Sequence, residues 1–265
     1  MTKDEKDEKR FTTLESALHL LDLFSLDEPE LGISDIAGRL GIANSTAHRL
    51  VTTLMTEGFI TKDQHTKLYR LGTSILALGN IVTWQSEIHK ISHPVLEVLV
   101  QRSNETAHIG VLRGFEVIYL NKMECSHPVR LLSYLGKRNP AHCTSTGQVL
   151  LAHQPPKVIE DFLQKKLERY TSKTITDSTT LLNRLKQIKE QGYSLSVEEL
   201  HEGVSSISAP IRNPKGQVVA AITIAGPIQR INTRTIPNLI ELVMKSANEM
   251  SHLLQVESRK NKAVD

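Results

Sequence analysis

At 265 residues, 39% of them hydrophobic and with a net charge of +3, the chain is long enough to bury real cores in two ordinary domains or one large one. Two cysteines, Cys125 and Cys143, rule out a disulfide framework, and no apolar run approaches the roughly 20 residues that cross a bilayer. The first ten residues, MTKDEKDEKR, are mixed-charge with no apolar stretch of signal-peptide type, so a soluble, reducing, cytoplasmic setting without a membrane partner is expected.

Charge is divided unevenly. Residues 1–72 hold nine Lys/Arg against twelve Asp/Glu, a net of −3, while the remainder carries 23 against 17. Bulk charge does not announce a nucleic-acid-binding first segment, and any phosphate contact there must come from a few well-placed cations.

In chain order, Leu14, Ala17, Leu18, Leu21 and Phe24 recur at spacings of three and four, the stripe of an amphipathic helix facing a core. Pro29 and Gly32 end it. Ser34 can cap a short second helix carrying Ile36, Ala37 and Leu40. Gly41 then allows a sharp reversal, because glycine takes a left-handed conformation cheaply. Asn44 or Ser45 can cap a third helix whose Ala47, Leu50, Val51 and Leu54 share one face. Its other face shows Thr46, Arg49, Thr52 and Thr53, with Ser45 and His48 at the leading edge. Past Gly58 the period becomes that of strands: residues 59–62 and 67–71, around Asp63-Gln64-His65-Thr66, read as a hairpin.

Three helices and a hairpin make a winged helix-turn-helix. Its third helix can enter a major groove, where Ser, Thr and Asn bond phosphates or base edges and Arg49 reaches guanine or a phosphate. The DNA-facing candidates are Ser34, Asn44, Ser45, Thr46, His48, Arg49, Thr52 and Thr53, with Lys62, Lys67 and Arg70 on the wing.

Residues 73–91 read as one further helix, apolar at Ile75, Leu76, Leu78, Ile81, Val82, Trp84, Ile88 and Ile91; so much apolar surface implies burial against a partner. Beyond it, residues 94–102 read as a helix, 106–112 and 117–123 as a hairpin, and 129–134 as a third strand. A long loop, 136–145, leads into a helix carrying Val149, Leu150 and Leu151. Helices over 156–166 and 181–191 follow, the second capped near Asp177 or Ser178 and stopped by Gly192. Strands at 193–198, 204–211 and 218–224 and a helix at 236–254 complete an α+β domain with a largely antiparallel sheet.

In this order and spacing the chain resembles the IclR family of bacterial transcription regulators over residues 11–258. The carrying segments are LGISDIAGRLGIANSTAHRLVTTLMTEGFI, then LGKRNPAHCTSTGQVLLA, GYSLSVEELHEGVSSISAPI and GQVVAAITIAGPIQRI. The resemblance implies a two-domain α+β protein: a winged helix-turn-helix at 11–72, a linker helix at 73–90 and a GAF-like effector-binding domain at 91–258. It further implies double-stranded operator DNA and a small polar or carboxylate metabolite as partners, a homodimer or homotetramer, and repression as the commoner mode. Mapped onto this chain, the family's effector pocket falls on Ser145, Thr146, Ser196, Val204 and Ser206. Relatives often carry Asp where Ser196 stands and Cys where Ser206 stands, so a relative's ligand does not transfer. Two-fold pairing would set two recognition helices on two half-sites.

Rival chemistries are weaker. Cys125, His127, His142, Cys143 and His201 are zinc-ligand types, but none has tight CxxC or HxxxH spacing, and an isolated Cys is more often a small buried hydrophobe; no metal or cofactor is expected. Glu198 and Glu199, read as neighbours on a strand, would point to opposite faces, and no nucleophile-elbow or phosphate-loop pattern is present. Catalysis is not expected. The alternative to a regulator is a stand-alone small-molecule or metal sensor whose helical first segment mediates protein association.

Overall fold

The computed structural model describes residues 11–127 and 135–262. The chain divides between Gln85 and Ser86 into two compact units. The strand expected at 129–134 lies outside the described residues.

In the first unit, α1 (Thr13–Leu21) starts at a capping box in which Thr12 and Glu15 satisfy each other's backbone N–H. Its inward face differs from the expected stripe. Leu20 is fully buried and Phe24, just past the helix, is 9% exposed, whereas Leu14 and Leu18 are 71% and 56% exposed. The sequence TLESALHLL holds two overlapping apolar stripes, and only packing chooses between them.

Helices α2 (Ile33–Leu40) and α3 (Asn44–Thr56) meet at Gly41, whose φ of 65° is the left-handed turn. The caps differ from expectation. Asp35 Oδ2 accepts from Gly32 N–H at the start of α2, so Ser34 is not the cap. Ala43 occupies the N-cap of α3 without a side-chain bond, and Asn44 is already helical. Strands β1 (Ile60–Lys62) and β2 (Tyr69–Leu71) pair antiparallel, and Leu31 bridges to Tyr69. Leu20, Ile36, Leu50, Val51, Ile60 and Tyr69 form the core, each large apolar side chain contributing about 1.5–3 kcal/mol by burial. Helix α4 (Thr73–Gln85) has no buried residue. It ends where Ser86 caps α5 (Glu87–Ser103), so the single helix expected over 73–91 is two, and α5 runs through Pro94.

The second unit is a six-stranded antiparallel sheet in the order β5-β4-β3-β8-β7-β6. Its strands are β3 (Thr106–Arg113), β4 (Glu116–Met123), β5 (Arg138–Pro140), β6 (Ser194–Val197), β7 (Val204–Arg212) and β8 (Val218–Pro227). Strand β5 lies inside the stretch expected to be loop. Helices α5 and α9 (Ile236–Lys262) cover one face; α6 (Ser145–Ala152), α7 (Pro156–Leu163) and α8 (Ser178–Gln191) cover the other. Asp177 caps α8 and Gly192 closes it in the left-handed region.

Side chains alternate between the two faces with period two. Ile207, Ala209, Ile211, Ile222 and Ile224 join the core under α5 and α9. The opposite positions of neighbouring strands carry Ser196, Ser206, Ser208, Thr223 and His108, which stand in register: Ser196 opposite Ser206, Ser208 opposite Thr223, Thr223 opposite His108. A polar stripe therefore crosses an otherwise apolar sheet beneath α6.

Candidate functional site

Helix α3 turns Ala47, Leu50 and Val51 inward and leaves Asn44, Ser45, Thr46, His48, Arg49, Thr52 and Thr53 exposed, as is Ser34 on α2. The Thr52 and Thr53 hydroxyls donate back to the carbonyls of His48 and Arg49 at 2.8 and 3.0 Å, so toward DNA they would act as acceptors or through their methyls. On the hairpin, Lys67 is exposed at the turn with φ 62°, and Lys62 Nζ lies 4.9 Å from the Tyr69 ring centroid.

The acids of this unit are partly spent internally. Glu28 binds Arg39 through both guanidinium nitrogens at 2.7 Å, and Arg70 lies 3.9 Å from Glu30. Asp63 accepts the N–H groups of His65 and Thr66, which holds its carboxyl below the usual range. Helix α3 itself, Asn44–Thr56, carries no carboxylate, and Arg49 is its one formal charge.

In the second unit a cavity of about 320 Å³ opens where the polar stripe meets the start of α6, within the size range of small-molecule sites. Thr146, Ser196, Val204 and Ser206 line it, as do His108, Tyr119, Asn139 and Glu199. Ser145 stands behind the wall: it is 1% exposed, and its hydroxyl is within 2.7 Å of both Ser206 and Ser208. Ser208 continues to Thr223 at 2.6 Å and Thr223 to Thr146 at 2.8 Å. The chain of hydroxyls leaves the cavity at Ser206 and returns to it at Thr146. Gly147 makes the close seat of α6 possible, because a Cβ there would run into the backbone of Ala141.

Burial sets the charge states. His108 is 3% exposed, and desolvation, reinforced by Lys122, lowers its pKa to about 3. Cys143 is raised to about 12 by burial and by Glu199. Glu199 is itself raised by burial, against the hydrogen bond from Gln148 and the field of Arg184.

Reading the sequence missed His108, Tyr119, Asn139 and Glu199. Alternation on β3 marks His108 as outward, but α6 covers that face. Glu198 and Glu199 are not on a strand: they sit past β6, with Glu198 at φ 58°. The zinc-type residues do not assemble. His142 Nε2 is bonded to the Glu168 carbonyl at 2.9 Å, Cys125 to Thr106, and among the described residues no three His, Cys, Asp or Glu group as metal ligands.

Residues 13–64 match the IclR helix-turn-helix domain, and residues 81–252 the bacterial transcriptional regulator IclR C-terminal domain. The chain belongs to the IclR family. The HTH-type transcriptional regulator BhcR of Paracoccus denitrificans is 33% identical over 239 residues, covering 90% of this chain and 85% of that one. The HTH-type transcriptional repressor AllR of Salmonella typhimurium is 29% identical over 93% of this chain and 91% of its own. An IclR homolog from Microbacterium hydrocarbonoxydans complexed with 4-hydroxybenzoate superimposes with a TM-score of 0.78 at 28% identity, covering 92% and 99% of the two chains. This IclR protein is a DNA-binding transcription regulator with an effector-binding C-terminal domain, not an enzyme or a stand-alone sensor. Among the described residues no helix is long and apolar enough to cross a membrane.

Proposed function

We propose that this IclR regulator is a repressor that works in the cytoplasm as a homodimer or homotetramer. It grips double-stranded operator DNA through α3 and the β1–β2 wing, and a small polar metabolite in the cavity beside α6 sets its affinity for that DNA. Residues 11–72 serve as the DNA-binding part, α4 as the link, and residues from Ser86 to about 258 as the effector part. The exposed row Ser45, Thr46, His48, Arg49, on a helix whose opposite face packs Ala47, Leu50 and Val51 into the core, carries the reading, because it offers the group types with which a recognition helix reads bases. Pairing is supported by α4, on which Leu76, Ile81, Val82 and Trp84 are 54–76% exposed in the single chain.

For control, the ligand must bind one arrangement of the oligomer better than the other. The test is a gel shift against the DNA upstream of the protein's own gene, repeated over a range of salt with an unrelated duplex as competitor. Specific retention that weakens steeply as salt rises, through counterion release, is the expected result. Retention indifferent to both sequence and salt would sink the proposal.

A further inference from the structure

The cavity's own chemistry narrows what it can hold, and this step rests on the reading that the cavity is the effector site. Two of its wall groups have unused bonding capacity. His108 Nδ1 is buried without a hydrogen-bond partner, and the ring packs edge-on against Tyr119 with centroids 4.4 Å apart. As a neutral imidazole it offers one N–H and one lone pair. Glu199 is 5% exposed, its Oε2 accepts from Gln148 Nε2 at 2.7 Å, and its carboxyl is also hydrogen-bonded by the Ser196 hydroxyl.

Gln148 has no donor left to offer. Its Nε2 also donates to the His142 carbonyl, and its Oε1 accepts from the Ser194 hydroxyl. The Glu199 carboxyl, with about four acceptor positions, is therefore bonded by a neutral amide and the Ser196 hydroxyl, and Arg184 reaches it only through its field. Among the described residues lining the cavity, Glu199 and Glu202 bring carboxylates and no Lys or Arg answers them.

The start of α6 argues the other way, since a helix N-terminus attracts anions. It carries only about half an elementary charge, however, and the Gly147 N–H of its first turn is already taken by Thr144 Oγ1. The same wall carries the carboxyls of Glu199 and Glu202 and, among the described residues, no Lys or Arg to add to that pull. The unpartnered His108 Nδ1 and the spare acceptor positions of Glu199 favour a ligand that brings hydrogens and penalise one that brings another carboxylate.

We propose that the cavity takes an uncharged or cationic small molecule presenting at least two hydrogen-bond donors, a polyol or an amino alcohol, with Glu199 and His108 as the acceptors. The Ser196 and Ser206 hydroxyls, in register on adjacent strands, add adaptable partners that can donate or accept.

The test is calorimetric titration of the full-length protein with two matched panels. One holds straight-chain polyols and amino alcohols of about three to six carbons; the other holds monocarboxylates and 2-oxo carboxylates of the same lengths. Saturable binding in the first panel, weakened at least about tenfold by Glu199→Gln, is the expected result. If Glu199→Gln fails to fold by circular dichroism, His108→Phe carries the same comparison. Binding confined to the carboxylates, or polyol binding that neither variant weakens, overturns the donor rule. In either case the cavity reading stands if Val204→Trp, which fills the cavity, abolishes the binding. Binding that survives Val204→Trp, or none in either panel, overturns the cavity reading together with the donor rule.

Discussion

The buried imidazole of His108, whose Nδ1 has no hydrogen-bond partner, links pH to stability. Its pKa falls from 6.5 to about 3 on folding, so below pH 6.5 the unfolded chain binds a proton that the folded chain refuses. The stabilisation present above pH 6.5 is lost as pH falls toward 3, at up to about 1.4 kcal/mol per pH unit. His108→Asn is expected to flatten the acid side of a plot of melting temperature against pH between 6.5 and 4.5; an unchanged slope would show that other groups govern it. The cations differ just as sharply by environment. Arg39 is held by Glu28, whereas Arg49 is exposed on α3. Arg49→Ala is expected to weaken operator binding by roughly 1–3 kcal/mol while leaving circular dichroism and cavity binding intact, which a gel shift and calorimetry would read separately.

Among the elements, α6 carries the densest constraints. All eight of its residues are buried, and it is fastened to the sheet by the hydroxyls of Ser145 and Thr146 rather than by ions. Such a network is strong only when every member is satisfied. Because Gly147 sits against the Ala141 backbone, Gly147→Ala must shift one main chain or the other. The expected cost is about 3 kcal/mol, a fall of roughly 6–12 °C in the melting of the second unit, accompanied by loss of cavity binding. A scanning calorimetry trace matching wild type would mean that α6 can slide without penalty. In α1 the surprise is the outward face, where Phe11, Leu14 and Leu18 are 45–71% exposed; the helix hides Ser16 and Leu20 instead.

At the scale of the whole molecule, the most exposed large apolar side chain among the described residues lies on α4, where Trp84 is 76% and Leu76 65% exposed. A monomer seldom leaves such a face to water. The double variant Ile81→Glu/Trp84→Glu is expected to reduce the mass measured by light scattering on a sizing column, and to weaken operator binding, since two linked recognition helices bind far better than one. An unchanged mass would remove α4 from the interface. Control by ligand is a property of the same scale: a compound binding both arrangements equally would leave operator affinity unmoved however tightly it binds.

Much of this was legible in the residues themselves. The reversal at Gly41, the polar row of α3, the hairpin wing and the alternation on β7 and β8 are local patterns, set by helical and strand periodicity and by glycine's freedom to turn. Of the five effector positions carried over from the family pattern, Thr146, Ser196, Val204 and Ser206 stand at the cavity wall and Ser145 is buried behind it. The remainder depended on packing. The choice between two stripes on α1, the break at Ser86 and strand β5 each turn on which neighbour arrives, and no local period encodes that. His108, Tyr119, Asn139 and Glu199 are separated along the chain and meet only through the order β5-β4-β3-β8-β7-β6. Periodicity determines which face of a strand a side chain occupies; only the tertiary structure decides that both faces are covered, and therefore that a polar residue on one of them lines a buried cavity instead of meeting water.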